Sequence, residues 1–77
     1  MTGRPQKHSL TLRGHRTSVS LEPEFWAAFR ALAARQGRGL NDLAAEIDGA
    51  RGDRGLASAI RVHVLEALQR TDEDRAP

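Results

Sequence analysis

The sequence has no cysteine, and its 77 residues provide little material for a hydrophobic core. Disulfides therefore cannot stabilise the chain, and a closed zinc site is not expected because such sites usually need cysteine ligands. A monomer of this size buries only about 60% of the surface that its unfolded chain exposes. We therefore expect a homodimer, in which a second copy supplies additional core.

Long hydrophobic runs are also missing from the sequence. No apolar stretch approaches the roughly 20 residues that are needed to span a membrane. The N-terminal residues lack the apolar segment of a secretory signal. These absences predict a cytoplasmic protein that does not contact a membrane.

Patterns typical of catalysis and metal binding are absent as well. Two acidic residues, Asp42 and Glu46, lie one helical turn apart, where a solvated pair of charges is a simpler interpretation than a metal site. The three histidines are widely spaced. No nucleophile–base pair and no glycine-rich phosphate loop before a helix can be identified. We expect no enzymatic activity, no cofactor and no bound metal.

Aromatic residues are few, and they lie close together in sequence at Phe25, Trp26 and Phe29. Aromatic side chains can stack on nucleic-acid bases, but their helical spacing within an apolar stripe favours a place in the core or the dimer interface. The residues predicted for that core or interface are Val19, Leu21, Phe25, Trp26, Phe29, Leu32, Leu43 and Ile47.

Charge is distributed unevenly along the chain. Residues 1–21 contain four basic side chains and no acidic one, whereas the residues from Glu22 onward contain eight basic and ten acidic side chains. Positive charge concentrated in one segment points to an anionic partner. The alternative is a solvated basic tail with no binding role.

Hydrophobic periodicity divides the chain into segments. Residues 16–21 alternate polar and apolar side chains, which indicates a strand. Apolar residues at helical spacing predict three helices, over residues 23–36, from residue 40 to between residues 48 and 50, and over residues 56–70. The sequence thus predicts a basic arm at residues 1–14, a folded domain at residues 15–70, and an acidic tail at residues 71–77.

The order of these segments resembles a known family. An alternating strand, Arg16-Thr-Ser-Val-Ser-Leu21, is followed at once by the helix start Glu22-Pro23-Glu24-Phe25-Trp26, and a glycine-containing turn, Gly37-Arg38-Gly39-Leu40-Asn41-Asp42-Leu43, precedes the second helix. This pattern is similar to that of the ribbon-helix-helix transcriptional regulators. Residues 13–22 resemble a bacterial subgroup of that family with one extra C-terminal helix.

The resemblance implies a mostly helical fold with one short N-terminal strand, forming an intertwined dimer. One strand from each chain would build an intersubunit two-stranded antiparallel ribbon, and the helix at residues 56–70 would be the additional third helix. It also implies a homodimeric, sequence-specific regulator, a repressor, that binds double-stranded DNA. A two-stranded ribbon fits the major groove, so Arg16, Ser18 and Ser20 on the outer face would contact bases.

Further residues would contact phosphates. The N-terminus of the second helix favours an anion, although Gly39 replaces the Ser or Thr cap that many relatives carry, so backbone donors would have to supply the contact. The predicted phosphate-contacting residues are Arg4, Lys7, Arg13, His15, Arg38, Gly39, Leu40 and Asn41.

Two alternatives stay open at this level. Residues 9–13 either extend along the DNA backbone as part of the arm, which is the main interpretation, or form an extra strand that pairs with residues 16–20. In the second case Gly14-His15 would be the turn and Arg13 would face Arg16, an unfavourable pair. The helix at residues 56–70 either packs over the dimer or binds further copies or a protein partner, as in an antitoxin-like interaction module.

Overall fold

The computed structural model describes the backbone of residues 4–75 and the side chains of residues 4–71. Two strands are followed by three helices, in the order β1 (Gln6–Leu12), β2 (His15–Leu21), α1 (Pro23–Arg35), α2 (Leu40–Ala50) and α3 (Leu56–Arg75). The predicted fold class, a mostly helical ribbon-helix-helix arrangement with a third C-terminal helix, is confirmed. It differs in one respect, because the chain contributes two strands rather than one.

The two strands form an antiparallel hairpin within one chain. Pairing runs from Leu12 opposite His15 to Gln6 opposite Leu21. The two-residue loop between the strands has positive φ at both positions, 52° at Arg13 and 85° at Gly14. This is the pattern of a type I′ turn, whose twist matches that of the flanking strands.

This hairpin corrects the predicted basic arm. Residues 6–12 are a strand, so the main interpretation of an extended arm is wrong there and the alternative hairpin is right, although its register is shifted by two residues. Thr11, and not Arg13, faces Arg16. The repulsion that argued against a hairpin therefore does not arise. Residues 1–3 of the predicted arm lie outside the described residues.

Alternation along the hairpin separates a core face from an outer face. Leu10, Leu12, Val19 and Leu21 point to the same side and are buried. Thr17 shares this side but is exposed. A shift of two residues preserves the parity of a strand, so the faces follow the sequence even though the predicted register does not.

Helix α1 begins where the sequence predicts and ends one residue earlier than predicted, at Arg35. Pro23 occupies its first turn, where a missing N–H costs nothing. At the other end Gly37 has a φ of 65°. Its N–H donates to the carbonyl of Ala34 at 3.0 Å and the N–H of Arg38 donates to that of Ala33 at 3.0 Å. These two bonds form a Schellman motif, which turns the chain toward α2.

The core lies where the three helices meet the hairpin. Phe29, Leu43 and Ile60, one from each helix, are 0% exposed, as is Leu21 of β2. Apart from these, the predicted core residues Val19, Leu32 and Ile47 are buried, whereas Phe25 and Trp26 are half-buried against the cluster.

Trp26 packs against the hairpin. Its ring is stacked on His8 of β1, with centroids 3.8 Å apart and an angle of 4° between the planes. The ring also contacts Phe29 at a centroid distance of 6.1 Å. The indole therefore helps to hold β1 against α1 and is not offered to a nucleic-acid base.

Helix α3 is longer than predicted. It packs on α1 and α2 and continues through residues 71–75, which the sequence assigned to a tail. The hydroxyl of Thr71 donates to the carbonyl of Ala67 at 3.0 Å, one turn earlier. The helix therefore extends five residues beyond the predicted end, and residues 76–77 lie outside the described residues.

An ion pair fixes α3 to the start of α1. Arg61 donates from Nε to Oε1 of Glu22 at 2.9 Å and from Nη2 to Oε2 at 3.1 Å. This bidentate geometry is the stronger form of an arginine–carboxylate pair. The pKa of Glu22 is lowered from 4.5, first by a hydrogen bond to its carboxylate from its own backbone and then by the hydrogen bond from Arg61.

We expect this pair to make stability depend on pH. A carboxylate with a lowered pKa stabilises the fold above its ordinary pKa, and the stabilisation is lost as the pH falls through the folded-state value. Glu22→Gln should therefore lower the Tm at pH 7, and its difference from wild type should shrink as the pH falls below 4.5. Thermal unfolding followed by circular dichroism measures this. Glu24→Gln, at an exposed position, is the control, and an unchanged difference at low pH would contradict the assignment.

Candidate nucleic-acid interface

The outer face of the hairpin carries only polar and basic side chains. The register places Lys7 opposite Ser20, Ser9 opposite Ser18 and Thr11 opposite Arg16, and all six side chains are exposed. Arg16, Ser18 and Ser20 thus lie on the face that the alternation predicts. Residues from both strands of one chain form this face, which we call the ribbon face.

Ser9 and Thr11 are ribbon-face residues that the site prediction omitted. The signal for them was the alternation Ser-Leu-Thr-Leu over residues 9–12, in which every second residue is apolar. Assigning these residues to an arm removed them from the candidate site.

Positive charge lies at the two ends of the ribbon face. Lys7 is four residues from Thr11, the partner of Arg16, so the two cations lie about 14 Å apart along the strands at about 3.4 Å per residue. The hydroxyls of Ser9, Thr11, Ser18 and Ser20 lie between them. The face contains no acidic residue.

One edge of β2 is open in the described part of the chain. A two-residue loop makes Leu12 and His15 a hydrogen-bonded pair, and such pairs alternate along an antiparallel ladder. The backbone N–H and C=O groups of Arg16, Ser18 and Ser20 therefore point away from β1. No hydrogen-bond partner for them is found among the backbone groups of residues 4–75.

The opposite edge, on β1, is covered by α2. The N–H of Thr11 donates to Oδ1 of Asn41 at 3.1 Å. This bond supports the alternation, because it shows that the Thr11 N–H points away from β2. It also brings the first turn of α2 to the side of the ribbon face, where the predicted contacts of Gly39, Leu40 and Asn41 would be made.

Local chemistry opposes an anion at this turn. Gly39 precedes α2 with no side-chain cap bond. The carboxylate of Asp42 lies beside Gly39: if residue 39 had a Cβ atom, that atom would be 3.1 Å from Oδ2 of Asp42. The carboxylate already satisfies the preference of a helix N-terminus for negative charge, so a phosphate here would meet a like charge.

The remaining predicted phosphate contacts fall into two groups. Arg38 is half-buried and its Nη2 lies 2.9 Å from Oε1 of Glu46; the hydrogen bond from Arg38 lowers the pKa of Glu46. Arg38 is therefore engaged with α2. By contrast, Arg4, Arg13 and His15 are exposed. Arg4 precedes β1, Arg13 lies in the turn, and His15 begins β2 opposite Leu12.

Within the described residues, no three histidine or acidic side chains come together in a way that could hold a metal ion. None of the described helices is both long enough and apolar enough to cross a bilayer.

Comparison with models of known protein families shows which family this chain belongs to. A model described as a ribbon-helix-helix domain matches residues 5–68. The chain belongs to the ribbon-helix-helix family. The match begins before β1 and ends within α3, so residues 5–14 and most of the third helix are part of the family domain. Comparison with curated proteins and with solved structures finds no match.

Members of the ribbon-helix-helix family are in general DNA-binding transcription regulators or antitoxins. The fold is typically a regulatory one and not that of an enzyme. The placement of a polar, cationic ribbon face on one side of the hairpin is consistent with this.

Proposed function

We propose that this ribbon-helix-helix protein is a cytoplasmic, homodimeric, sequence-specific transcriptional regulator, acting as a repressor, that reads the major groove of double-stranded DNA. The observation that carries the proposal is the ribbon face, which combines two cations with four hydroxyls and contains no acidic residue. Such a face offers hydrogen-bond donors and positive charge to a polyanion. The core face of the same hairpin is anchored to the helices, so the ribbon is presented on a rigid support.

Side-chain chemistry suggests how the ribbon face divides its contacts. Arginine donates in a bidentate manner to the O6 and N7 atoms of guanine, a contact that discriminates strongly among bases. We assign this role to Arg16. The hydroxyls of Ser18 and Ser20 both donate and accept, so they restrict the base less.

The open edge of β2 supports a dimer. Two copies pairing antiparallel through this edge, centred on Ser18 as the middle residue of β2, would form a continuous sheet of four strands. The axes of the two outermost strands would lie about 14 Å apart, since neighbouring strands are about 4.8 Å apart. This distance exceeds the roughly 12 Å width of the major groove. The two central β2 strands would enter the groove, and the β1 strands would lie at its walls.

This geometry separates base contacts from phosphate contacts. Arg16, Ser18 and Ser20 lie on the central strands. Lys7 lies on the outer strand and would reach the phosphates that border the groove, as would the exposed residues Arg4 and Arg13. His15 begins β2 opposite Leu12, on the core side of the hairpin, so its predicted phosphate contact would be weaker. The turn at Gly39, Leu40 and Asn41 and the paired Arg38 would make weaker contributions, because Asp42 and Glu46 lie beside them.

The salt dependence of binding tests DNA recognition directly. Each neutralised phosphate should contribute a slope of about −0.9 to a plot of log affinity against log salt concentration. Fluorescence anisotropy with a duplex selected from a random pool measures this, and the selected sequence also reveals half-site symmetry. A flat salt response, or no binding at low salt, would disprove the proposal.

Within the same measurement, Arg16→Ala tests the reading of bases. Loss of a bidentate guanine contact should cost about 1–3 kcal/mol on the selected duplex and little on a random one. The matched control is Arg30→Ala, an exposed arginine on α1. Equal weakening on both duplexes would reduce Arg16 to a phosphate contact.

A protein-interaction role, as in an antitoxin, is the second candidate. It is favoured by Leu65 and Leu68 on α3, which are each 52% exposed. Absence of DNA binding together with a protein that co-purifies in fixed proportion would favour this candidate over the first.

A further inference from the structure

A groove of about 500 Å³ opens beneath the tip of the hairpin. It separates the turn from the C-terminal half of α2 and the start of α3. Its volume lies within the roughly 300–1,000 Å³ typical of small-molecule sites. The lining residues are Leu12, Arg13, His15, Arg16, Thr17, Ala45, Asp48, Arg51 and Leu56.

The groove is cationic. Arg13 and Arg16 line it from the hairpin and Arg51 from the loop after α2, together with His15. Its acidic residue, Asp48, accepts a hydrogen bond from Nε of Arg51 at 2.6 Å. Three arginines against one carboxylate leave a net positive charge of about two, which favours an anion.

Part of the groove wall is apolar. Leu12, Ala45 and Leu56 line it together with the arginines. A bare inorganic anion would leave these side chains in contact with water, whereas a ligand with an apolar body would cover them. Polar and apolar groups thus converge in one cleft, as in sites for organic ligands.

We propose that this groove binds a small organic anion, a phosphate or carboxylate attached to an apolar group. The arginines hold the anionic group, and the apolar wall receives the body of the ligand. Arg16 belongs both to the groove and to the ribbon face, so a bound ligand competes with DNA for its guanidinium. This second step rests on the proposed DNA-binding function, whereas ligand binding itself does not.

Phenyl phosphate is a suitable probe, because it joins a phosphate to an apolar ring. Titration of the ¹⁵N-labelled full chain should give saturable shifts of the amide signals of residues 12–17, 45–48 and 56. Inorganic phosphate should shift the same signals with lower affinity, since it leaves the apolar wall uncovered. Non-saturating shifts spread over exposed arginines elsewhere, such as Arg30, would overturn the proposal.

Two variants separate the charge of the groove from its shape. Arg13→Asn removes a cation but keeps a residue that tolerates the left-handed turn, and should weaken phenyl phosphate binding about tenfold, as expected for a charged hydrogen bond. Ala45→Leu fills the apolar wall without changing charge and should weaken phenyl phosphate while sparing inorganic phosphate. Arg30→Asn is the control, and equal effects of all three would exclude a built site.

Competition between phenyl phosphate and DNA is tested in a separate experiment. Phenyl phosphate should weaken binding of the selected duplex by wild type and should have little effect on Ala45→Leu, whose DNA affinity is expected to be unchanged. Saturable phenyl phosphate binding without any DNA binding would sink the proposed function and leave the groove intact. Duplex DNA alone should also shift the signals of residues 13–16, because this segment contains proposed DNA contacts. Failure of saturating phenyl phosphate to weaken binding of the duplex would overturn the competition step.

Discussion

Replacing Ile60 with alanine is expected to lower the free energy of unfolding by about 2–5 kcal/mol. The side chain of Ile60 is 0% exposed and belongs to the core cluster that includes residues of both strands and all three helices. Truncation removes apolar contact area and leaves a cavity, because the surrounding helices relax only in part. For a domain of this size such a loss is a large fraction of the total stability. Urea unfolding followed by Trp26 fluorescence measures it.

Leu65→Ala is the matched control for Ile60→Ala. Leu65 lies on the same helix but is 52% exposed, so its truncation should change the stability by less than about 1 kcal/mol. If both variants behaved alike, α3 would be an appendage and not part of the core. A difference in the expected direction establishes α3 as an integral element of this ribbon-helix-helix domain.

Replacing Ser18 with proline is expected to break the proposed dimer. The N–H of Ser18 points away from β1, so its removal spares the hairpin but deletes a donor from the open edge. A dimer with two-fold symmetry loses two such hydrogen bonds, each worth about 1 kcal/mol. The dimer Kd should therefore rise about 30-fold or more. Sedimentation equilibrium over a range of protein concentrations measures this change.

Ser9→Pro is the control for this experiment. Ser9 faces Ser18 across the hairpin, and its N–H also points away from its partner strand, but toward the opposite edge. Any general harm that proline does to the hairpin should appear in both variants, whereas loss of the dimer should appear in Ser18→Pro alone. A wild-type monomer, or equal dissociation of both variants, would refute pairing through β2.

The helices were predictable because their end signals are local. Pro23 and Gly37 mark the ends of α1, and the structure uses both as expected. The end of α3 was misplaced because residues 71–75 were judged by their acidic charge. They contain neither glycine nor proline, so no residue among them stops the helix there.

The hairpin was harder to predict because both residues of its turn have positive φ, which Gly14 adopts easily and Arg13 does not. Sequence reasoning placed Gly14 first in the turn, whereas Arg13 is first and adopts a left-handed conformation that costs a non-glycine residue about 1–2 kcal/mol. Long-range contacts offset that cost. The bond from Thr11 to Asn41 crosses 30 residues of sequence, and no local pattern reveals it.

For the candidate site, the sequence predicts which side of the strand each residue lies on, but not which residues it contacts. Strand alternation assigns Arg16, Ser18 and Ser20 to the outer side whatever the register. The pairing of Arg38 with Glu46 and the position of Asp42 beside Gly39 depend on how α2 folds back. Sequence spacing does not show that these carboxylates compete with a phosphate.

Building the ribbon from one chain has a consequence for the order of folding. A ribbon shared between two chains cannot form until the chains meet, so its appearance depends on protein concentration. A hairpin closed by Arg13 and Gly14 joins residues that are near neighbours in sequence, and such hairpins form in about 1–10 μs. Each newly made chain can therefore complete its own ribbon face before it encounters a second copy, and two chains with different ribbon faces could associate without either losing its own.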